Sequence, residues 1–172
     1  MAIREIVKYG HPVLHAPSAP VERIDATVLS LLDDMVDTMY AAPGIGLAAP
    51  QVAVGLRVIV IDLSVGETPG QLIKLINPEI VEREGDQRHE EGCLSIPHVS
   101  GTPARPERVT VRGLDPSGEE RLYNATELLA RAFCHEIDHV DGLLFVDRLS
   151  PLKRDLLKRK LRKKARTQDW ED

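Results

Sequence analysis

The segment His135-Glu136-Ile137-Asp138-His139 sets two imidazoles four residues apart, with a carboxylate beside the first. On a helix, four residues make about one turn, so both rings leave the same face and can reach one metal ion. Glu136 then stands next to the first ring, placed to hold a water and take its proton without itself ligating. The plainer reading is that two solvated or packed histidines fall into this pattern by accident. The apolar positions Leu128, Leu129, Ala132, Phe133 and Ile137 weigh against it, because they make the segment a helix with one inward face.

Two histidines leave a catalytic site incomplete, since three protein ligands and an open position are the usual set. The extension H-E-x-x-H-x-x-G-x-x-H has Gly142 in place but ends on Phe145, which has no donor atom. The other familiar completion is a downstream glutamate, and the only Glu after Glu136 is Glu171, close to the end of the chain. Both protease-type completions fail, so the third donor is expected upstream. Glu91-Gly92-Cys93-Leu94-Ser95 is the best source. A thiolate binds divalent transition metals strongly, and glycine beside it lets backbone approach a ligand or substrate. Cys134 directly precedes His135 and, on a helix, points about 100° away from the ligand face. It reads as a packing residue. His89 and His98, on either side of the Cys93 segment, are expected at the surface.

Taken together, GIGLAAPQ (44–51), EGCLS (91–95) and HEIDH (135–139) resemble the three signature motifs of bacterial-type peptide deformylases, in the same order. LINPEI, CLSIP and LLFVDRLSPLK are similar to further stretches of that family, so the resemblance covers most of the chain. It implies one divalent metal ion per chain, held by Cys93, His135 and His139 with water in the fourth place. Fe2+ is the ion it favours, with Zn2+, Ni2+ or Co2+ as substitutes. It makes Glu136 the general base and then the general acid. Gln51 and the backbone N–H of Leu94 would stabilise the oxyanion. The backbone of Gly46 and Gly92 would hold the peptide as an added strand, and Ile45 and Leu128 would line a methionine pocket. The implied reaction is hydrolysis of the formyl amide on the initiator methionine of a nascent polypeptide. Arg131, one turn before His135, departs from relatives that carry an apolar residue there; its stem can line the pocket while its charge reaches water.

These side chains need positioning elements. An amphipathic helix is expected over 24–40, behind a cap at Asp25 and ended by Pro43 and Gly44. Residues 44–51 read as small and flexible, and 56–63 as a buried strand. An extended segment over 73–85 is interrupted at Asn77-Pro78. Alternation on both sides of Asp115-Pro116-Ser117-Gly118 predicts a hairpin over 108–124. A second helix spans 126–140. Ser150-Pro151 opens a third, basic helix to about residue 166. Without regular βαβ alternation, the order points to α+β: mixed or antiparallel strands around a central H-E-x-x-H helix, flanked by N-terminal and C-terminal helices.

The 172 residues carry a net charge of −5, 42% hydrophobic residues and 3% aromatics. That suits one domain with a core, read as a catalytic body over 1–150 with an appended basic helix and tail over 151–172. Few aromatics argue against a stacking platform for single-stranded nucleic acid. No apolar run approaches the ~20 residues of a membrane span, and MAIREIVKYGHP lacks the apolar core of a secretory signal. Two cysteines make no disulfide framework, so a reducing cytoplasm is the expected setting, with a monomer as the expected state. The charge is unevenly spread. Residues 151–172 hold nine Lys/Arg against four Asp/Glu, whereas the body holds 13 against 23. Leu152, Leu156, Leu157 and Leu161 share the basic helix as its apolar side, and a helix of this kind suits docking on an rRNA-rich ribosome surface. The competing functions are a protease cutting internal bonds, which lacks its third ligand, and a non-catalytic metal-binding module, which leaves Glu136 and Gln51 without purpose.

Overall fold

A computed structural model describes residues 2–171. Among the described residues, three α-helices and nine strands follow one another in the order α1 (Ala26–Ala41), β1 (Gly46–Ala48), β2 (Val58–Ile61), β3 (Ile73–Glu84), β4 (Gln87–Arg88), β5 (Glu91–Cys93), β6 (Ile96–Gly101), β7 (Ala104–Arg105), β8 (Arg108–Leu114), β9 (Glu120–Thr126), α2 (Glu127–Val140) and α3 (Pro151–Thr167). The main sheet has the order β1-β2-β3-β8-β9, and β4–β7 and β5–β6 form two short ribbons. Every strand ladder is antiparallel, and the one parallel contact among the described residues is an isolated Ala19–Leu56 bridge. The architecture is α+β, with α2 at its centre.

The sheet owes its place to period-two alternation. Ile59 and Ile61 of β2 join Ala48, Leu75 and Val111 in a core with Phe133, Ile137 and Val140 of α2. Val58 and Val60 point the other way, into a second core with Leu31, Leu32, Met35 and Met39 of α1. Strand β2 is therefore buried on both faces, and each fully buried aliphatic there contributes about 1.5–3 kcal/mol. A third cluster, with Ile96, Phe145, Leu149 and Leu161, fills the space beneath β5–β6 and α3.

The expected elements recur with instructive differences. Asp25 caps α1 by accepting from Val28 N at 3.0 Å. Residues 44–51 are ordered and largely buried, forming edge strand β1 and one 3-10 turn, Ala49–Val52. Small side chains here allow close packing, where composition alone suggested flexibility. Asn77 does interrupt β3, as a left-handed residue (φ 53°) at a register shift, but pairing with β8 resumes at Glu79. Its amide bonds both backbone groups of Val21 and so ties the break to the N-terminal segment. β9 runs straight into α2 through Glu127 (φ 52°). Gly142, at φ 80°, ends α2 where a side chain would strike the Ala16 backbone.

In α3 the leucines do not share one environment. Leu161 is fully buried and Leu157 partly so, whereas Leu152 is 72% exposed and Leu156 58% exposed. The expected apolar side is thus split between a docked stripe and an exposed pair. Ser150 contributes only its carbonyl, which accepts from Arg154 N at 2.8 Å; its hydroxyl makes no cap bond. Lys158 pairs with Asp147 at 2.5 Å and holds the helix to the body. Asp172, the last residue of the tail segment, lies outside the described residues.

Candidate metal centre and active site

The ligand candidates come from two elements. His135 and His139 stand one turn apart on α2, their rings 5.0 Å apart, and Cys93 ends β5. Cys93 Sγ and a ring nitrogen of each histidine lie within 4.8 Å of one another. Cys93 Sγ is 3.3 Å from His139 Nε2. One thiolate and two imidazoles suit a borderline-soft divalent ion such as Fe2+ or Zn2+. Two buried atoms, Glu136 Oε1 and His139 Nδ1, have no hydrogen-bond partner among the described residues. An orphaned carboxylate oxygen beside a thiolate–imidazole cluster is explained by an ion and its water, so the residues present fit a bound metal.

Glu136 leaves α2 toward β1. Its carboxylate packs on Gly46, where an added Cβ would come within 2.6 Å of Oε2. Burial pushes this carboxyl up to about 7, against the downward pull of His135. Gln51 is anchored at both ends of its amide. Oε1 accepts from Ala48 N at 3.0 Å, and Nε2 donates to Ser95 Oγ at 3.2 Å and faces Cys93 Sγ at 3.6 Å. The turn Ala49–Val52 thereby aims an uncharged donor at the cluster.

Both histidines are shaped by groups behind them. His135 Nδ1 meets Glu91 Oε1 at 2.9 Å, which leaves Nε2 to face the site. Glu91 is in turn gripped by Arg105 through two bonds of 2.9 Å. Burial alone would raise the Glu91 carboxyl, but His135 and Arg105 outweigh it and hold it at about 2. From the protein's own groups, His139 is pushed well below its ordinary value by burial, with His135 and Arg105 adding to it. These groups favour its neutral form, the form in which an imidazole can bind a metal. His135 moves the other way despite burial, raised by Glu136, Cys93 and Glu91.

These groups open onto a cleft of about 600 Å³. Of the sequence candidates, Ile45, Gly46, Gln51, Gly92, Cys93, Leu94, Leu128, His135 and Glu136 all line it. His139 lies behind them with no exposure. Both long walls end in strands with an unpaired side: β1 is the edge of the main sheet, and β5 pairs only with β6. Arg131 lines the cleft too, with Nη1 on Gln87 Oε1 at 2.8 Å. His98 is exposed at the rim, His89 is exposed outside it, and Cys134 is buried, its thiol pushed up to about 11 by burial. Sequence reasoning missed Arg105, Asp138 and Ser95 as parts of the site, and Pro43, Gly44 and Pro97 as cleft walls. Arg105 sits in no recognisable pattern, while Ser95 and Asp138 stand inside the motifs as unassigned letters.

A helix presenting two histidines and a glutamate to a cysteine on a neighbouring strand is the arrangement of a metal-dependent hydrolase. The comparisons agree with that class and narrow it. The family described as polypeptide deformylase matches residues 3–155. A peptide deformylase of Acidobacterium capsulatum is 52% identical over 170 residues, covering 99% of this chain and 100% of its own. One from Thermodesulfovibrio yellowstonii is 51% identical over 164 residues, covering 95% and 99%. The crystal structure of a Legionella pneumophila peptide deformylase superposes with a TM-score of 0.87 at 47% identity, covering 97% of this chain and 98% of that one. The chain belongs to the polypeptide deformylase family.

Proposed function

We propose that the protein removes the N-formyl group from the initiator methionine of nascent polypeptides, consuming water and releasing formate and a free amine. The observation that carries the proposal is Glu136, buried and with an unpartnered oxygen, beside Cys93, His135 and His139 at the head of a strand-edged cleft. Those three side chains would hold one divalent ion, which when bound supplies Lewis acidity and brings the pKa of a water toward neutrality. Fe2+ is the proposed ion, with Zn2+, Ni2+ or Co2+ as substitutes.

Glu136 accepts the proton of the attacking water and then delivers it to the leaving nitrogen, which departs as a neutral amine. Gln51 Nε2 and the Leu94 N–H donate to the formyl oxygen as it gains charge; a donor of this kind is worth ~2.7–4 kcal/mol in the transition state. Gly46 on β1 and Gly92 on β5 offer backbone to the peptide as an added strand. Ile45 and Leu128 receive the methionine side chain. The formyl carbon carries only hydrogen, so a tight site around it would reject larger acyl groups sterically.

Residues 1–150 act as the catalytic body and 151–172 as a docking helix and tail of the same domain. The enzyme works as a cytoplasmic monomer that meets ribosomes through exposed α3 residues. No helix of the described residues is long and apolar enough to cross a membrane. The deciding experiment measures formate release from a formyl-Met peptide, an acetyl-Met peptide and unblocked casein, using protein purified without oxygen and assayed for metal. Release from the formyl peptide alone is expected. Cleavage of casein without formate release would overturn the proposal.

A further inference from the structure

We propose that Arg105 is a positioning residue that clamps the Cys93 strand to the histidine helix and so fixes the geometry of the ligand set. This rests on Cys93, His135 and His139 being the metal ligands. Arg105 stands on β7, outside all three motifs, and its side chain is 2% exposed. Nε and Nη2 bond both oxygens of Glu91 at 2.9 Å. Nη1 bonds Asp138 Oδ2 at 2.6 Å. Glu91 lies two residues before Cys93 on β5, and Asp138 directly precedes His139 on α2. One planar fork therefore joins the two segments that carry the ligands. The same fork holds Glu91 against His135 Nδ1, which fixes that ring with Nε2 toward the site.

The arrangement is specific to arginine. Three of its donors are used in two directions, and a lysine ammonium has no such fork. Arg148 bonds Asp138 from the other side, at 2.9 Å and 3.2 Å, so that carboxylate is held between two guanidinium groups. Burying a guanidinium with two carboxylates adds little stability compared with an apolar core. The cluster's value is then in placement: without it, Cys93 and the two histidines depend on separate elements for their spacing.

The test is metal affinity of the full chain, measured by chelator competition with Zn2+, and the visible spectrum of the Co2+-loaded protein. Arg105→Lys keeps the charge and removes the fork. Arg105→Gln removes both. Each is expected to bind Zn2+ about 10–100-fold more weakly, the range typical of lost outer-sphere partners, with an altered Co2+ spectrum. Leu32→Ala, a core change in the α1 cluster, controls for general destabilisation and is expected to leave affinity and spectrum unchanged. If Arg105→Gln does not fold, Arg105→Lys and Glu91→Gln carry the test. Wild-type affinity and spectrum in Arg105→Lys would overturn the clamp. Failure of the wild-type protein to bind either ion would instead overturn the ligand assignment.

Discussion

Gly46 and Glu136 occupy a volume that leaves no room for a side chain on the glycine. An added Cβ would lie 2.6 Å from Glu136 Oε2 and 3.1 Å from its Cγ. Edge strand β1 and the Glu136 carboxylate of α2 are therefore set against each other atom to atom.

Gly46→Ala should move the flexible end of Glu136 rather than the backbone, so the fold survives and the carboxylate is displaced. Misplacement on the order of 1 Å typically costs ~10²-fold in rate. The expected result is a kcat/KM on formyl-Met peptide lower by about that factor, with an unchanged circular dichroism spectrum. Full activity would mean that Glu136 tolerates relocation.

Glu136→Ala removes the proposed proton carrier and leaves the three proposed donor atoms of Cys93, His135 and His139. Stoichiometric metal should remain, while turnover falls by about 10²–10⁴-fold. Metal analysis and formate release on the same sample separate the two effects. Unimpaired turnover would contradict the assigned role.

Cys93→Ala deletes the only sulfur donor of the cluster. The variant should lose stoichiometric metal after dialysis, since two imidazoles alone hold an ion weakly. Tight retention would remove Cys93 from the ligand set.

The pH dependence of stability can be read at Tyr40, whose hydroxyl donates to Asp62 Oδ2 at 2.5 Å. Burial and the Asp62 carboxylate push the phenol up to about 12. Its ordinary value is about 10, so the folded form holds its proton longer than the unfolded chain. The stability this adds is complete below pH 10 and is lost as pH rises toward 12. Asp62 shifts the opposite way: burial raises it, but the Tyr40 hydroxyl and the Ser64 and Gly66 donors outweigh that. Its share is lost only in acid, below the usual carboxylate range. Tyr40→Phe should cost about 1.5–3 kcal/mol at pH 8 and converge with the parent by pH 12 in urea titrations. Parallel curves across that window would refute the linkage.

Lys160 and Lys163 are exposed on α3, while Leu161 between them is buried. Reversing the two charges with Glu leaves the docked stripe intact. Ribosome association should weaken by about tenfold or more and lose part of its salt dependence, with formyl-peptide turnover unaltered. Equal sedimentation with ribosomes would remove the helix from docking. This is a cleaner experiment than deleting residues after Ser150, which would also empty the Leu161 site.

Much of this was legible in one dimension because helical periodicity carries its own geometry. His135, Glu136 and His139 follow from the spacing alone, and the apolar positions around them place α2 in the core. The Asp115–Gly118 turn likewise announced its hairpin. Arg105 was not legible, because its partners lie 14 and 33 residues away and nothing local marks a buried arginine. The ordered state of residues 44–51 was hidden for a different reason. Glycines and alanines look flexible in composition, yet Leu47, Ala48 and Ala49 are fully buried between two helices. Leu157 and Leu161 lie 100° or more around α3 from Leu152 and Leu156, and the body covers only the first pair.

His139 has no exposure, and Cys93 and His135 line the cleft. An ion held by them would reach solvent through the cleft proposed for the peptide. With an ion and a peptide bound as proposed, the peptide would block that passage, so metal loss to a chelator is expected to be slower with peptide present than without it.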